Sequence, residues 1–388
     1  MTTVTESALV AMVEGAAALS ANELSRIVDV AGHVLGAASA RLLIPDYALV
    51  TLRALGDDGP VGEHQHIDGT LAGRALISGE VVVSSDEPAV VWVPLTEGGE
   101  RLGVLELTHA SWSDDRRATL DLVARVLVLE LVSKRRATDA VLRARRERPL
   151  SVAAELQWDL LPPLTCITSA FSVSGILEPA YEIGGDSFDY ALNADRLEFA
   201  IVDAVGHGLS AVMQSAAAIN CLRNSRRQRV GLEDAYCAAD AVIRGQFGRQ
   251  SFVTAQIGTL TAGGELTWLN AGHPRPLLVR DGSYIGELMC EPSLPLGLGG
   301  EPLVVATEAL QPGDRVLFYS DGVIEAHSPH GEEFGLPRLA DFLVRATLDH
   351  VSPAETVRRM SSSIMAYNDV GLADDATLLL IELRQQDR

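Results

Sequence analysis

Basic residues are scarce in this chain: 31 Lys and Arg stand against 52 Asp and Glu over 388 residues, a formal net charge of −21. Nucleic acid is held by clustered cations whose binding releases counterions, so an acidic balance of this size argues against a nucleic-acid substrate. Long apolar runs are missing too. No charge-free stretch approaches the roughly 18 residues that span a bilayer. The first twenty residues carry Glu6 and Glu14 without a basic region ahead of an apolar one, so no membrane segment or secretory signal is expected, and the expected location is the cytoplasm. Cysteine is limited to Cys166, Cys221, Cys237 and Cys290, with no C-x-x-C pair. That spacing fits reduced thiols filling core space better than a zinc site or a disulfide framework.

What is present is acid in particular settings. Asp186 lies in Glu-Ile-Gly-Gly-Asp-Ser-Phe-Asp, Asp203 in Val-Asp-Ala-Val-Gly-His-Gly, Asp321 in Tyr-Ser-Asp-Gly, and Asp374 and Asp375 in Ala-Asp-Asp-Ala-Thr. Hard carboxylate oxygens suit Mg²⁺ or Mn²⁺ and not a soft site wanting Cys or His. Such residues point to a two-metal hydrolase.

The length suggests roughly two to three domains. In the first part, Leu24, Ile27, Val28, Ala31, Val34 and Leu35 recur at helical spacing. Strands are predicted over 41–44, 49–52 and 81–83, with a short helix over 68–77 between the last two. Strands over 91–95 and 102–107 flank Glu97-Gly-Gly-Glu100, a tight-hairpin signal. From Ser113 a long helix is predicted, carrying Leu120, Val123, Ala124, Leu127 and Leu131 as its buried stripe and ending at Pro149. It suits a signalling helix or a short parallel coiled coil, which would allow a homodimer. Its basic run, Lys134, Arg135, Arg136, Arg143, Arg145, Arg146 and Arg148, reads as a solvated helix face in preference to an anionic docking site.

The second part opens with an amphipathic helix over 151–161. The alternation of Leu197, Phe199 and Ile201 then predicts a strand that delivers Asp203 at its end, followed by an Ala-rich helix from Ser210 to about Arg223. The stretch 316–319 repeats the device ahead of Asp321, and 377–383 is an apolar strand entered from Asp374-Asp375. Carboxylates at strand ends can converge on one edge of a core.

In order along the chain stand Pro179-Ala-Tyr-Glu-Ile-Gly-Gly-Asp-Ser-Phe-Asp189, Asp203-Ala-Val-Gly-His-Gly-Leu-Ser-Ala211, Asn270-Ala-Gly-His-Pro274, Pro312-Gly-Asp314, Tyr319-Ser-Asp-Gly-Val-Ile-Glu325, Phe334-Gly335 and Asp374-Asp-Ala-Thr377. This succession resembles the SpoIIE-like branch of the metal-dependent (PPM) protein serine/threonine phosphatases. Ala154-Glu-Leu-Gln-Trp-Asp-Leu-Leu-Pro162 resembles the helix that begins those domains.

The resemblance implies an α-β-β-α sandwich with two divalent cations, Mn²⁺ or Mg²⁺. Asp186 and Asp203 would be the principal bridging and catalytic carboxylates, with the Ala204 carbonyl completing one shell and Asp321 holding the other metal. Asp374, laid on the family's Asp-x-x-Thr, would be a further ligand, while Asp375 would support from behind, and Asp189 and Asp314 are read as turn residues or as supports behind the ligands. Two such cations would supply an activated water and neutralise phosphoryl charge without a protein nucleophile. His207 is a candidate general acid weighed against a structural role at a helix start, and His273 is read as ordering a turn. Ser187 and Ser320 depart from the family pattern and leave every metal carboxylate in place. The implied substrate is a phosphorylated STAS-domain anti-sigma-factor antagonist.

Tyr-Glu-Ile-Gly-Gly-Asp-Ser-Phe also resembles the Gly-Gly-Asp-Glu-Phe loop of nucleotide cyclases, but over one loop only, with Ser187 in place of the second acid. A non-catalytic module of the phosphatase shape is the other alternative.

Residues 22–132 resemble a GAF sensor domain, with Ile67-Asp-Gly-Thr-Leu-Ala-Gly-Arg-Ala-Leu-Ile-Ser-Gly79 as the clearest tag. Its ligand or partner is not named by the residues. His64 and His66 are expected to be surface residues of a polar loop. The expected organisation is α+β: a tail or helix over 1–21, an α/β GAF-like sensor over 22–132, a helical linker over 133–150, and a PPM-type domain over 151–388.

Overall fold

A computed structural model describes residues 2–182, 184–248, 250–300, 302–368, 372 and 374–385. The chain divides into two units, Met1–Pro149 and Leu150–Arg388. No helix among the described residues is long and apolar enough to cross a membrane.

In the first unit, helices α1 (Thr2–Ala17) and α2 (Leu24–Val34) precede strands β1 (Ser39–Pro45), β2 (Thr51–Gly56) and β3 (Gly59–His66). Helix α3 (Leu71–Ser78) leads to β4 (Val82–Val83), β5 (Ala89–Glu97) and β6 (Glu100–His109), and α4 (Arg117–Lys134) and α5 (Ala140–Ala144) follow. The strands form one antiparallel sheet in the order β3-β2-β1-β6-β5-β4. Leu24, Ile27, Val28 and Ala31 of α2 are buried, as their helical period requires. With Leu120, Val123 and Leu127 of α4 and Val91, Val93 and Leu95 of β5 they build the larger core. Gly98 and Gly99, at φ 57° and 94°, close the two-residue hairpin between β5 and β6.

Three local expectations fail here. The helix expected from Ser113 to Pro149 stops at Lys134 and restarts as α5, because Ala140, Val141 and Ala144 turn back to bury themselves in the same core as α4. The loop expected around His64 and His66 is the edge strand β3, held by main-chain pairing with β2, such as Thr51 opposite His66. Nearly all of its side chains are exposed, so it carries no apolar alternation to announce it. The basic run is a solvated face only in part: Arg136, Arg143 and Arg148 are exposed, but Arg135 pairs with Glu100, Arg143 with Asp58, Lys134 with Glu130, and the Arg145 guanidinium lies 4.2 Å over the Tyr47 ring. The paired and stacked cations are engaged inside the unit.

The second unit opens with α6 (Val152–Leu160), whose N-cap Ser151 accepts the Ala154 N–H. Strands β7 (Thr165–Ile167), β8 (Phe171–Glu178), β9 (Asp186–Asn193) and β10 (Arg196–Ala204) follow, then helices α7 (Leu209–Arg227) and α8 (Leu232–Phe247). Next come β11 (Val253–Thr261), β12 (Glu265–Ala271), β13 (Leu277–Arg280), β14 (Ser283–Glu287), β15 (Val305–Ala309) and β16 (Arg315–Tyr319). The short α9 (Asp321–Ile324), α10 (Gly335–Leu348), α11 (Pro353–Tyr367) and β17 (Ala376–Leu383) complete the unit.

Two antiparallel sheets result, β15-β12-β11-β10-β9 and β14-β13-β16-β17-β8-β7. Strand β10 explains the layering. Its Leu197, Phe199 and Ile201 enter the core shared by both sheets, while Ala200, Val202 and Ala204 enter a second core with Ala218, Ile219 and Leu222 of α7 and Ile243 of α8. Helix α11 covers the other sheet against β8 and β17. The order is helix, sheet, sheet, helix, the sandwich expected for this half.

Candidate metal centre

Strand parity decides which acids meet. On β9, Phe188 and Tyr190 face the shared core, so Asp186 lies on that side at the strand's start. Directly opposite in register is Asp203, two residues beyond the core residue Ile201 on β10. From the second sheet, Val316 and Phe318 of β16 and Leu379 and Ile381 of β17 share the same core, which places Ser320 and Asp375 facing Asp186. The Ser320 hydroxyl donates to Asp186 Oδ2 at 2.5 Å and accepts the Thr377 N–H at 2.9 Å. Both Asp375 carboxylate oxygens accept the Gly184 N–H, and Oδ2 also accepts that of Asp186 at 3.1 Å.

The loop leading into Asp186 runs so close to β10 that a Cβ on Gly185 would lie 2.3 Å from the Ala204 carbonyl oxygen. Only glycine fits there. A cleft of about 440 Å³ opens beside this loop, lined by Glu182, Gly184, Asp374 and Asp375 together with the exposed His207 and apolar Val152 and Leu209.

Electrostatics bind these acids into one system. Burial first, then the Asp203 and Asp375 charges, raise the Asp186 carboxyl well above the usual carboxylate range, against the opposing Ser320 hydrogen bond. Asp203 is pushed up to about 7 by burial and by Asp321, Asp374 and Asp375. Asp375 is pushed up to about 6, by burial and the Asp374 charge, with the main-chain N–H groups of Asp186 and Gly184 pulling the other way. Asp321 moves upward through burial and Asp374. Each shift has the same physical origin: carboxylates crowded together in a partly dry site.

The same unit treats its other buried acids differently. Asp189, Asp240, Asp314 and Glu355 each pair with an arginine. Among the described residues no Lys or Arg forms an ion pair with Asp186, Asp203, Asp321, Asp374 or Asp375. A concentrated, all-oxygen donor set without a side-chain counter-cation fits Mg²⁺ or Mn²⁺. Among the described residues no three His, Cys, Asp or Glu side chains are drawn up at ligating distance of one point, so the fit is one of donor chemistry and not of a preformed cage.

Asp189 stands apart from this group. It has the opposite parity to Asp186 and points at α7, where Arg223 binds Oδ1 at 2.7 Å and Arg226 binds Oδ2 at 2.8 Å. The expectation that it supports the site or caps a turn is corrected: it lies inside a strand and staples a helix to the sheet. His273 is buried in the Asn270 turn, with its N–H donating to Asn270 Oδ1 at 2.8 Å. Gln157 and Ser215, which hydrogen-bond to the loop carbonyls at Asp186 and Gly185, were not singled out in the sequence. Gln157 shares a helical stripe with Ala153, Ala154 and Leu160, and a polar residue in a buried stripe is a signal that could have been used.

Residues 193–384 match the family profile described as Stage II sporulation protein E (SpoIIE). The C-terminal unit is a SpoIIE-type PPM domain. Phosphoserine phosphatase RsbU of Bacillus subtilis is 21% identical over 286 residues, covering 72% of this chain and 83% of RsbU. Protein IcfG of Synechocystis sp. is 22% identical over 263 residues, covering 60% of this chain but only 41% of IcfG. Among solved structures, the SiaA-PP2C domain of Pseudomonas aeruginosa superposes with a TM-score of 0.50 at 20% identity, covering 60% of this chain and 94% of that one. The SpoIIE-type domain therefore has the PP2C fold.

Proposed function

We propose that the SpoIIE-type domain is a metal-dependent protein serine/threonine phosphatase. Asp186, Asp203, Asp321 and Asp374, with the Ala204 carbonyl, would hold two divalent cations, Mn²⁺ or Mg²⁺. The carrying observation is the gathering of these aspartates from two sheets with no arginine or lysine among the described residues paired to them, where each of the other buried acids named above has one. A cation pair held there would supply Lewis acidity, for activating water and for neutralising phosphoryl charge.

The chain's own residues do the rest. Ser320 and the loop N–H groups bound by Asp375 fix the direction of Asp186. Apolar Val152 and Leu209 line the cleft, and His207 stands on the same lining, where a histidine would serve as the acid for a departing seryl or threonyl oxygen.

The substrate we assign is a phosphorylated STAS-domain regulator in the cytoplasm, released for a partner switch, with the first unit as a GAF-like sensor of an unidentified ligand or partner. The motif succession and the likeness to RsbU, itself named a phosphoserine phosphatase, support this reading. The break between α4 and α5 removes the continuous helix as the route of control, so a signal would have to act through the segment from Arg135 to Pro149. The test is Mn²⁺-dependent release of phosphate from phosphorylated STAS-domain proteins, with Asp203→Asn as control. Phosphate release by the wild type and none by the variant is expected; equal rates would refute the assignment.

A further inference from the structure

Helix α6 buries Ala153, Ala154, Gln157 and Leu160 along one face. Gln157, at 0% exposure, is the polar member. Its side-chain amide donates to the main-chain carbonyl of Asp186, while its Oε1 is buried without a hydrogen-bond partner among the described residues. A buried amide with half its groups unsatisfied is a poor way to fill a core, where an apolar side chain of the same shape carries no such cost. A role beyond packing accounts for it.

A second helix reaches the same loop. Ser215 of α7, also fully buried, donates its hydroxyl to the carbonyl of Gly185, with the Ala211 carbonyl 3.2 Å away as the ordinary helical alternative. The indole N–H of Trp158, next to Gln157, donates to the Ala180 carbonyl at 2.8 Å, so α6 also holds the other end of the segment between Pro179 and Asp186.

We propose that Gln157 and Ser215 are positioning residues: from helices α6 and α7 they hold the consecutive carbonyls of Asp186 and Gly185, and so fix where the Asp186 carboxylate points among the clustered acids. This rests on the metal-centre reading above. Neither side chain is a donor to the cations. Both act through the backbone of one ligand, as outer partners do when they orient a metal-binding group.

The test uses the full-length protein and Mn²⁺ alone as the probe. Gln157→Met keeps the length and apolar bulk of the side chain, removes the donor, and also removes the unpartnered Oε1. By calorimetric titration its Mn²⁺ dissociation constant should rise about ten-fold or more. Turnover of a phosphoseryl peptide at saturating Mn²⁺ should stay within about two-fold of wild type, the pattern of positioning and not of chemistry. Should that variant fail to fold, Ser215→Ala carries the same expectations. A folded variant with unchanged Mn²⁺ affinity overturns the inference, as does a loss confined to turnover at saturating metal. Wild-type protein that binds no Mn²⁺, or Asp203→Asn that binds it normally, would instead overturn the metal centre and this inference with it.

Discussion

Ser320, at the end of β16, donates its hydroxyl across the sandwich to Asp186 at the start of β9, and the same oxygen accepts the Thr377 N–H. One small side chain thus joins three strands from two sheets at the point where the acids converge. Ser320→Ala leaves the buried Thr377 N–H without that acceptor, at a cost of about 1 to 3 kcal/mol. It also removes a side-chain hydroxyl that donates to Asp186. Urea unfolding should show the loss, and the Mn²⁺ concentration for half-maximal activity should rise. Ser320→Thr, which keeps the hydroxyl, should restore both.

Asp203 tests the acid cluster from the opposite direction. Its carboxylate is disfavoured by burial and by three neighbouring aspartates. Replacing it with the neutral Asn removes a repulsive charge, so Asp203→Asn in EDTA should melt at a higher temperature than wild type at pH 8. Added Mn²⁺ should then raise the wild-type Tm by mass action and leave the variant nearly unmoved. A variant less stable than wild type in EDTA would mean that Asp203 is held by compensating contacts and not crowded.

Two of these acids were legible in the sequence because each sits where an alternating apolar run ends: Leu197, Phe199 and Ile201 ahead of Asp203, and Val316 and Phe318 ahead of Ser320 and Asp321. Parity along a strand can be read from residue order alone, and the placement of Asp189 on the far face was available by counting from Asp186. What could not be read was its arginine partners 34 and 37 residues away. Strand β3 and the break after Lys134 were hidden for the opposite reason. One is held by main-chain pairing that leaves no side-chain pattern, and the other depends on where Ala140 and Val141 find a core. Gln157 and Ser215 reach main-chain carbonyls, which carry no residue identity to match.

Asp189 should behave as structure and not as chemistry. It binds two partly buried guanidinium groups, and Asp189→Asn would leave both without their counter-charge, a loss of about 3 to 5 kcal/mol by the usual cost of breaking a buried pair. Because it faces α7 and not the cleft, the Mn²⁺ dissociation constant of the folded variant should match wild type. A tight link between its stability loss and weakened Mn²⁺ binding would place it in the site after all.

His273 sets a pH dependence that does not involve the acids. Its Nδ1 lies 2.8 Å from Thr254 Oγ1, and its main chain is bracketed by the Asn270 side chain. Burial, offset only in part by a main-chain hydrogen bond at Tyr319, lowers its pKa from the ordinary 6.5 to about 3. The unfolded chain therefore takes up a proton near pH 6.5 that the folded one refuses until about pH 3. The stabilisation from keeping this ring neutral is complete above pH 6.5 and is lost as the pH falls, at up to about 1.4 kcal/mol per pH unit. His273→Gln retains a polar group for Thr254 but has no proton to gain. Urea unfolding of both proteins between pH 7.5 and pH 4.5 should show the wild-type advantage shrinking through that window, and parallel curves would show that His273 is protonated within the fold.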